Sequence, residues 1–280
     1  MEDGLLNNKV GFIIQARMKS TRLPGKILMP LPLGGTLPLL GWITNALKNS
    51  IYYKSIFVAT STETENDELM KFARQYEVHI FRGSEDDVFS RFNLIARNND
   101  FDTIVRLTGD NPVLDIKVLD NAINYHLSSG AQYTITKGLP IGMNIEIIDV
   151  NSFITINLES LTIEEKEHVT LHMRSSGKFN VREYIPYPNI DYNKIRLTID
   201  YPSDFIVVSS LISIGENLNM QLGLELVDYC IQHYPWLFEV NQQNHQKTNY
   251  KNLQEEWVRA EPILEKFEFK RLISLLKEKV

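Results

Sequence analysis

Apolar residues in the first half of the chain alternate between two spacings. Short runs rich in β-branched and aromatic residues occur at Val10–Gln15 (VGFIIQ), Ser55–Thr60 (SIFVAT), Val78–Phe81, Thr103–Leu107 (TIVRL) and Ala131–Thr136. Each is short enough, and rich enough in strand formers, to predict a β-strand. Between them the apolar positions fall three and four apart. Leu39–Leu47, Glu65–Tyr76 (Leu69, Phe72, Ala73, Tyr76), Asp87–Ala96 (Val88, Phe89, Phe92, Leu94, Ile95) and Ile116–Leu127 read as helices. Strands alternating with helices of about this length predict βαβ units and a mixed, mainly parallel sheet, an α/β fold. Right-handed crossovers put helices on both faces, and ligands bind beyond the carboxyl ends of the strands. The loops after Ile14 and after Leu107 sit at such ends.

The second half is less regular. Asn144–Ile148, Val181–Ile185 and Ile195–Ile199 read as strands, and Thr162–Arg174 as a helix. Ser203 or Asp204 is placed to cap a helix over Phe205–Ile214. For Asp204 a plain cap is the favoured role. Gly223–Tyr234 is a further helix, and Pro262–Lys277 a terminal amphipathic one. Gln242–Asn252 is dominated by Gln, Asn, His and Lys, as in a surface loop or linker. The pattern divides the chain into a main domain over 1–240 and a polar linker with a helical extension over 241–280.

Composition narrows the class. The 280 residues are 43% hydrophobic and 23% charged, enough to bury a large core. A net charge of −6 and a pI near 5.6 argue against a nucleic-acid partner. A single cysteine, Cys230, excludes an intramolecular disulfide and a multi-cysteine zinc site. No apolar run approaches the roughly 20 residues of a membrane helix, and no signal peptide fits the first residues. A soluble cytoplasmic protein with no membrane partner is the expectation.

Against that acidic background one loop is basic. Gln15-Ala16-Arg17-Met18-Lys19-Ser20-Thr21-Arg22-Leu23-Pro24-Gly25-Lys26 follows the first strand and holds four cations, two hydroxyls and a glycine. A polyanion such as a triphosphate would account for it, since backbone N–H groups and cationic side chains neutralise phosphate oxygens together. The plain alternative is a solvated basic loop. Neither GxxxxGK[ST] nor GxGxxG is present, which demotes P-loop and dinucleotide-binding proteins. Asp110, in Leu107-Thr108-Gly109-Asp110-Asn111-Pro112, and Asp200, in Arg196-Leu197-Thr198-Ile199-Asp200-Tyr201-Pro202, each follow a predicted strand. Carboxylates there would suit a hard cation such as Mg²⁺. The alternative for Asp110 is turn stabilisation alone.

Taken together, QARMKSTRLPGK after VGFII, then RLTGDNPVLD, EHVTLHMR and RLTIDYPSDF, resemble the CMP-sugar cytidylyltransferases, with the branch named for spore-coat polysaccharide biosynthesis nearest in pattern. The resemblance spans roughly Lys9 to Ile214. It implies a nucleotide-diphospho-sugar transferase (GT-A-like) fold, and transfer of CMP from CTP to a sugar acid of the 3-deoxy-2-keto type with loss of pyrophosphate. It also implies Mg²⁺ as cofactor, and a role in cell-surface polysaccharide assembly.

By motif position the resemblance assigns the CTP phosphates to Arg17, Ser20, Arg22 and Lys26, with Gln15 and Ala16 bordering the nucleotide. Thr60, Arg82, Ser84 and Arg106 are its further nucleotide contacts. Asp110 and Asp200 are its metal ligands, and Arg17, Lys26 and Asp110 its catalytic set. Glu146 and His168 are weaker sugar contacts; for Glu146 the alternative is a strand-pair position, and for His168 helix packing. Asn144 stands where relatives often carry an acid, and Asn111 where they often carry cysteine or glutamate. The aromatic segment Tyr234-Pro235-Trp236-Leu237-Phe238 reads as core packing, with a homodimer interface as the alternative. Competing functions are a sugar-1-phosphate nucleotidyltransferase, a GT-A glycosyltransferase and a silent nucleotide-binding protein. The first lacks its GxGTRL entry, the second its DxD motif. The third would be expected to have lost Lys26, Asp110 or Asp200, and all three are present.

Overall fold

The computed structural model describes residues 8–244 and 252–277. The chain divides into two units, Met1–Gln243 and Asn244–Val280. In the first, β1 (Val10–Gln15) pairs in parallel with β4 (Ser55–Ser61) on one side and β6 (Thr103–Thr108) on the other. β5 (His79–Gly83) adds beyond β4, also parallel. On the far side β8 (Glu146–Asp149) runs antiparallel to both β6 and β7 (Tyr133–Thr136), and β9 (Val181–Tyr184) pairs in parallel with β7. The sheet order is β5-β4-β1-β6-β8-β7-β9, and only β8 opposes the common direction. β2 (Pro30–Leu31) and β3 (Leu37–Pro38) form a separate small ribbon.

Both faces of this sheet are buried, and the strands sort their side chains by alternation. Phe12, Ile14, Val105, Leu107 and Ile147 enter one core cluster, while Ile13, Ile104 and Ile148 enter the other. The first is covered by α1 (Leu39–Leu47), α2 (Asp67–Gln75), α4 (Ile116–Ser129), α8 (Pro202–Leu218) and α9 (Leu224–His233). The second is covered by α3 (Val88–Asn98), with α5 (Val150–Ile154) and α7 (Leu171–Ser175). Asp87 caps α3 through Ser90 N–H, and Asp115 caps α4 through Val118 N–H. The second oxygen of Asp115 accepts from Leu224 N–H, so one carboxylate caps α4 and holds the start of α9.

Three expectations about elements change. Ile195–Ile199 makes one bridge, Arg196 to Ile141, rather than a ladder. It crosses the strand ends and bonds to successive loops: Leu197 N–H donates to Ile141 O and Ile199 N–H to Asp110 O. Thr162–Arg174 breaks at His168 into α6 (Ile163–Glu167) and α7, and Val169 and Thr170 at the break are buried. In the second unit, α10 (Leu253–Lys266) and α11 (Lys270–Lys277) replace one terminal helix. Glu268, with φ of 58°, lies in the break between them. Most of the expected linker Gln242–Asn252 lies outside the described residues. Among the described residues no helix is long and apolar enough to cross a membrane.

Candidate functional site

Three strand ends meet where the basic loop begins. Gly109 N–H donates to Gln15 O (2.8 Å) and Ala16 N–H to Ala59 O (3.2 Å). A Cβ on Gly109 would lie 2.9 Å from that of Ala16, so the two loops approach only because Gly109 has no side chain. The basic loop is pinned at Met18, whose N–H donates to Oδ1 of Asn66; Asn66 in turn donates to Ser61 Oγ. Gly25 closes the loop by donating to Met18 O, at φ of +70°, a conformation glycine adopts without strain. This turn delivers Lys26 to the interior, where it is 7% exposed.

The Lys26 ammonium donates to Asp200 Oδ1 (2.9 Å), Ile199 O (2.6 Å) and Asp110 Oδ2 (3.1 Å). The two predicted carboxylates, far apart in sequence, therefore converge on one cation. Asp110 also accepts from Thr108 Oγ1 (2.6 Å), and Asn111 donates to that hydroxyl. Asp200 also pairs with Arg22 (3.0 Å) and with Arg196 (2.9 Å). Arg22 lies 4.9 Å over the Tyr201 ring. Burial opposes charge on Asp200, but Lys26, Arg22 and Arg196 hold its carboxyl below the ordinary carboxylate range. The N-cap of α8 is Tyr201, not the expected Ser203 or Asp204; Asp204 is the third residue of the helix and its carboxylate accepts from the cap N–H. Fully buried, it accepts from Asp200 and Tyr201 N–H and pairs with Arg196 at 3.0 Å. Asn241 donates to Asp204 and to Arg196 O.

A second buried cluster flanks the first. Glu146 on β8 is 8% exposed and accepts from Arg106, from the Tyr133 hydroxyl and from Thr170 Oγ1. Burial works against its charge, but Arg106, Thr170 and Tyr133 together keep its pKa below the usual value. The Tyr133 hydroxyl is pushed up by burial and by Glu146. Arg106 Nη2 reaches Gln15 Oε1 at 3.1 Å, which ties the cluster to the end of β1. His168 is exposed; from its motif it is Thr170 that reaches Glu146. Asn144 is exposed as well.

The remaining predicted residues divide. Arg17 bridges to Glu85 (3.1 Å) across the mouth between the β1 and β5 loops. Burial opposes charge on Glu85, but hydrogen bonds from Ser61 and Arg17 hold its pKa down. Ser20 Oγ accepts from Leu23 N–H within the basic loop. Thr60 Oγ1 is buried without a hydrogen-bond partner. Arg82 bonds to Asp67 and to the carbonyls of Ser61, Thr62 and Glu63, which fixes the loop after β4. Ser84 accepts from Asp87 N–H. Neither Arg82 nor Ser84 joins the Lys26 cluster. Glu85, Arg196, Asp204, Tyr133, Thr170 and Asn241 were not anticipated as site residues. Arg196 and Thr170 sit inside quoted motifs, but Asn241 lies in a polar stretch with no signal.

Among the described residues no group of three or more His, Cys, Asp and Glu could hold a metal. The donor set still suits a hard divalent ion. Asp110, Asp200 and the Ile199 carbonyl present oxygens that already gather round a positive charge, and Mg²⁺ sites commonly use one or two carboxylates completed by substrate phosphates.

Known proteins resemble this chain in sequence and fold. A family profile described as cytidylyltransferase matches residues 11–230. The spore coat polysaccharide biosynthesis protein SpsF of Bacillus subtilis is 35% identical over 210 residues, covering 73% of this chain and 86% of that protein. A solved cytidylyltransferase from Leptospira borgpetersenii superposes with a TM-score of 0.75 at 31% identity, covering 87% of this chain and all of that one. CMP:2-keto-3-deoxy-manno-octonic acid synthetase, solved with CTP, shares the fold at a TM-score of 0.55 and 13% identity, over 74% of this chain and 99% of that one.

Proposed function

The chain belongs to the cytidylyltransferase family, and from its site we propose that it transfers CMP from CTP to a sugar acid of the 3-deoxy-2-keto type, releasing pyrophosphate. The observation that carries this reading is the Lys26 ammonium set between Asp110 and Asp200, at the ends of parallel strands and at the close of a four-cation loop. In this reading the sugar hydroxyl attacks the α-phosphorus and pyrophosphate leaves. The demands on the protein are placement and charge. Arg17, Ser20, Arg22 and Lys26 bind the triphosphate. Gln15, Ala16 and Thr60 border the nucleoside in this reading. Arg82 and Ser84 hold the neighbouring loops in shape. Arg106, oriented by Glu146 beside Gln15, supplies positive charge toward the same mouth. His168, exposed at the break between α6 and α7, is a sugar contact in this reading.

Asp110 and Asp200 would hold Mg²⁺. When bound, the ion neutralises phosphate charge and lowers the pKa of the attacking hydroxyl. The reaction serves cell-surface polysaccharide synthesis in the cytoplasm. SpsF, by its name a polysaccharide biosynthesis protein, supports the setting, and the synthetase solved with CTP supports the nucleotide. The test is product identification. Incubation with CTP, Mg²⁺ and a panel of 3-deoxy-2-keto sugar acids is expected to give a CMP-ester of one of them, detected by mass. Nucleotidylation of a sugar 1-phosphate instead would sink the acceptor assignment.

A further inference from the structure

The Lys26 ammonium has no donor to spare. Its three N–H groups go to Asp110 Oδ2 (3.1 Å), Asp200 Oδ1 (2.9 Å) and Ile199 O (2.6 Å). The carboxylates are as fully engaged. Asp110 Oδ1 accepts from Thr108 Oγ1, and Asp200 Oδ2 from Arg196. Arg22 pairs with Asp200 Oδ1 as well. Every oxygen of the two carboxylates therefore has a partner, and Lys26 alone bonds to both groups. Charge is balanced too. Asp110, Asp200 and Asp204 stand against Lys26, Arg22 and Arg196. A divalent ion added to this set would leave two positive charges uncompensated. In a cluster where the Lys26, Arg196, Asp200 and Asp204 side chains are at most 13% exposed, that repulsion is poorly screened.

Two conflicts arise once Asp110 and Asp200 are given to a divalent ion and Lys26 to the triphosphate, the reading on which this inference rests. Lys26 cannot donate to a phosphate oxygen while all three of its N–H groups are taken. An ion brought to Asp110 Oδ2 and Asp200 Oδ1 meets the ammonium that already bonds to both. A single movement resolves both conflicts. We propose that Lys26 is an exchangeable internal cation: it holds Asp110 and Asp200 together in the free chain, and yields them to the ion as it turns to the triphosphate. Lysine suits the role, because its charge sits on a flexible four-carbon stem. Lys26 also closes the loop that carries Arg17 and Arg22, the cations given to the same phosphates. Nucleotide and ion then favour each other's binding by one common factor.

The test needs no nucleotide. Mn²⁺ is titrated into the full-length wild type, Lys26→Met and Lys26→Met/Asp110→Asn, and the free ion is read from its electron paramagnetic resonance signal. Circular dichroism checks the fold, with Lys26→Gln as the substitute should the methionine variant not fold. Lys26→Met is expected to bind Mn²⁺ at least about tenfold more tightly than wild type, a coupling of ordinary size. The double variant should lose that gain. Mn²⁺ should also raise the thermal midpoint of Lys26→Met more than that of wild type. Equal Mn²⁺ affinity in wild type and Lys26→Met overturns the proposal, as does a gain that survives Asp110→Asn. The activity is judged separately by pyrophosphate release from CTP. The expected gain in a protein that releases none upholds the exchange and sinks only the proposed reaction.

Discussion

Lys26 Nζ and Asp200 Oδ1 lie 2.9 Å apart, with side chains only 9% and 13% exposed. The same ammonium reaches Asp110, and the same carboxylate reaches Arg22 and Arg196. With Asp204, three carboxylates face three cations, so the cluster is neutral as it stands. Removing Lys26, Asp200, Arg196 or Asp204, whose side chains are at most 13% exposed, leaves a poorly solvated imbalance.

Lys26→Met is expected to act on stability as well as on rate. It strips a buried cation from two carboxylates, a change that costs about 3 kcal/mol. Chemical denaturation should show that loss. Turnover should fall at least about a hundredfold, as for removal of other preorganised charges at a reacting phosphate or acyl centre. A variant with wild-type midpoint and rate would contradict the cluster's role.

Asp110→Asn separates the two effects. Asp110 is more exposed than Asp200, at 29%, and asparagine keeps an acceptor for Thr108. Stability should change by no more than about 1 kcal/mol, while turnover should collapse. Wild-type turnover should stop in a chelator and return with Mg²⁺. Undiminished rates in either experiment would remove the metal from the account.

Glu146→Gln tests the second cluster. The variant leaves Arg106 buried beside a neutral partner, at a cost of about 3 kcal/mol near neutral pH. The carboxyl's folded pKa is depressed, so its contribution is full above the ordinary value of about 4.3. That contribution disappears as pH falls through the lower folded value. The stability gap between wild type and variant should therefore narrow in acid; a gap independent of pH would show that the loss is not electrostatic.

His126 sets a second pH window. It is 3% exposed, shares a 2.8 Å hydrogen bond with Thr134 Oγ1, and burial lowers its pKa to about 4 from 6.5. Below 6.5 the unfolded chain takes up a proton that the folded one refuses. Stability should therefore decline from pH 6.5 toward 4, by on the order of 3 kcal/mol in all. His126→Gln should flatten that part of the melting-temperature profile. An unchanged slope would place the proton uptake elsewhere.

Period and motif carried the reading far in the first half of the chain. β1, β4 and β6 lie where strand-like runs predict them because their residues are buried on both faces and leave continuous apolar runs. Lys26, Asp110 and Asp200 were legible because loops at strand ends concentrate charge. What sequence did not reveal was tertiary pairing. Arg196 reads as a strand residue, yet it clamps Asp200 and Asp204, because its segment crosses the loops instead of joining the sheet. Arg82 reads as a site cation, yet its donors are taken by the carbonyls of a neighbouring loop. Asn241 gave no local signal, since its partners are fixed only by the fold.

Pyrophosphate release measured side by side with CTP, UTP, ATP and GTP, in Mg²⁺ and a 3-deoxy-2-keto sugar acid panel, tests the central claim most directly. The account predicts release with CTP and a keto acid together, lost in Asp110→Asn. Release that favours another nucleotide, or that requires a sugar 1-phosphate, would contradict it.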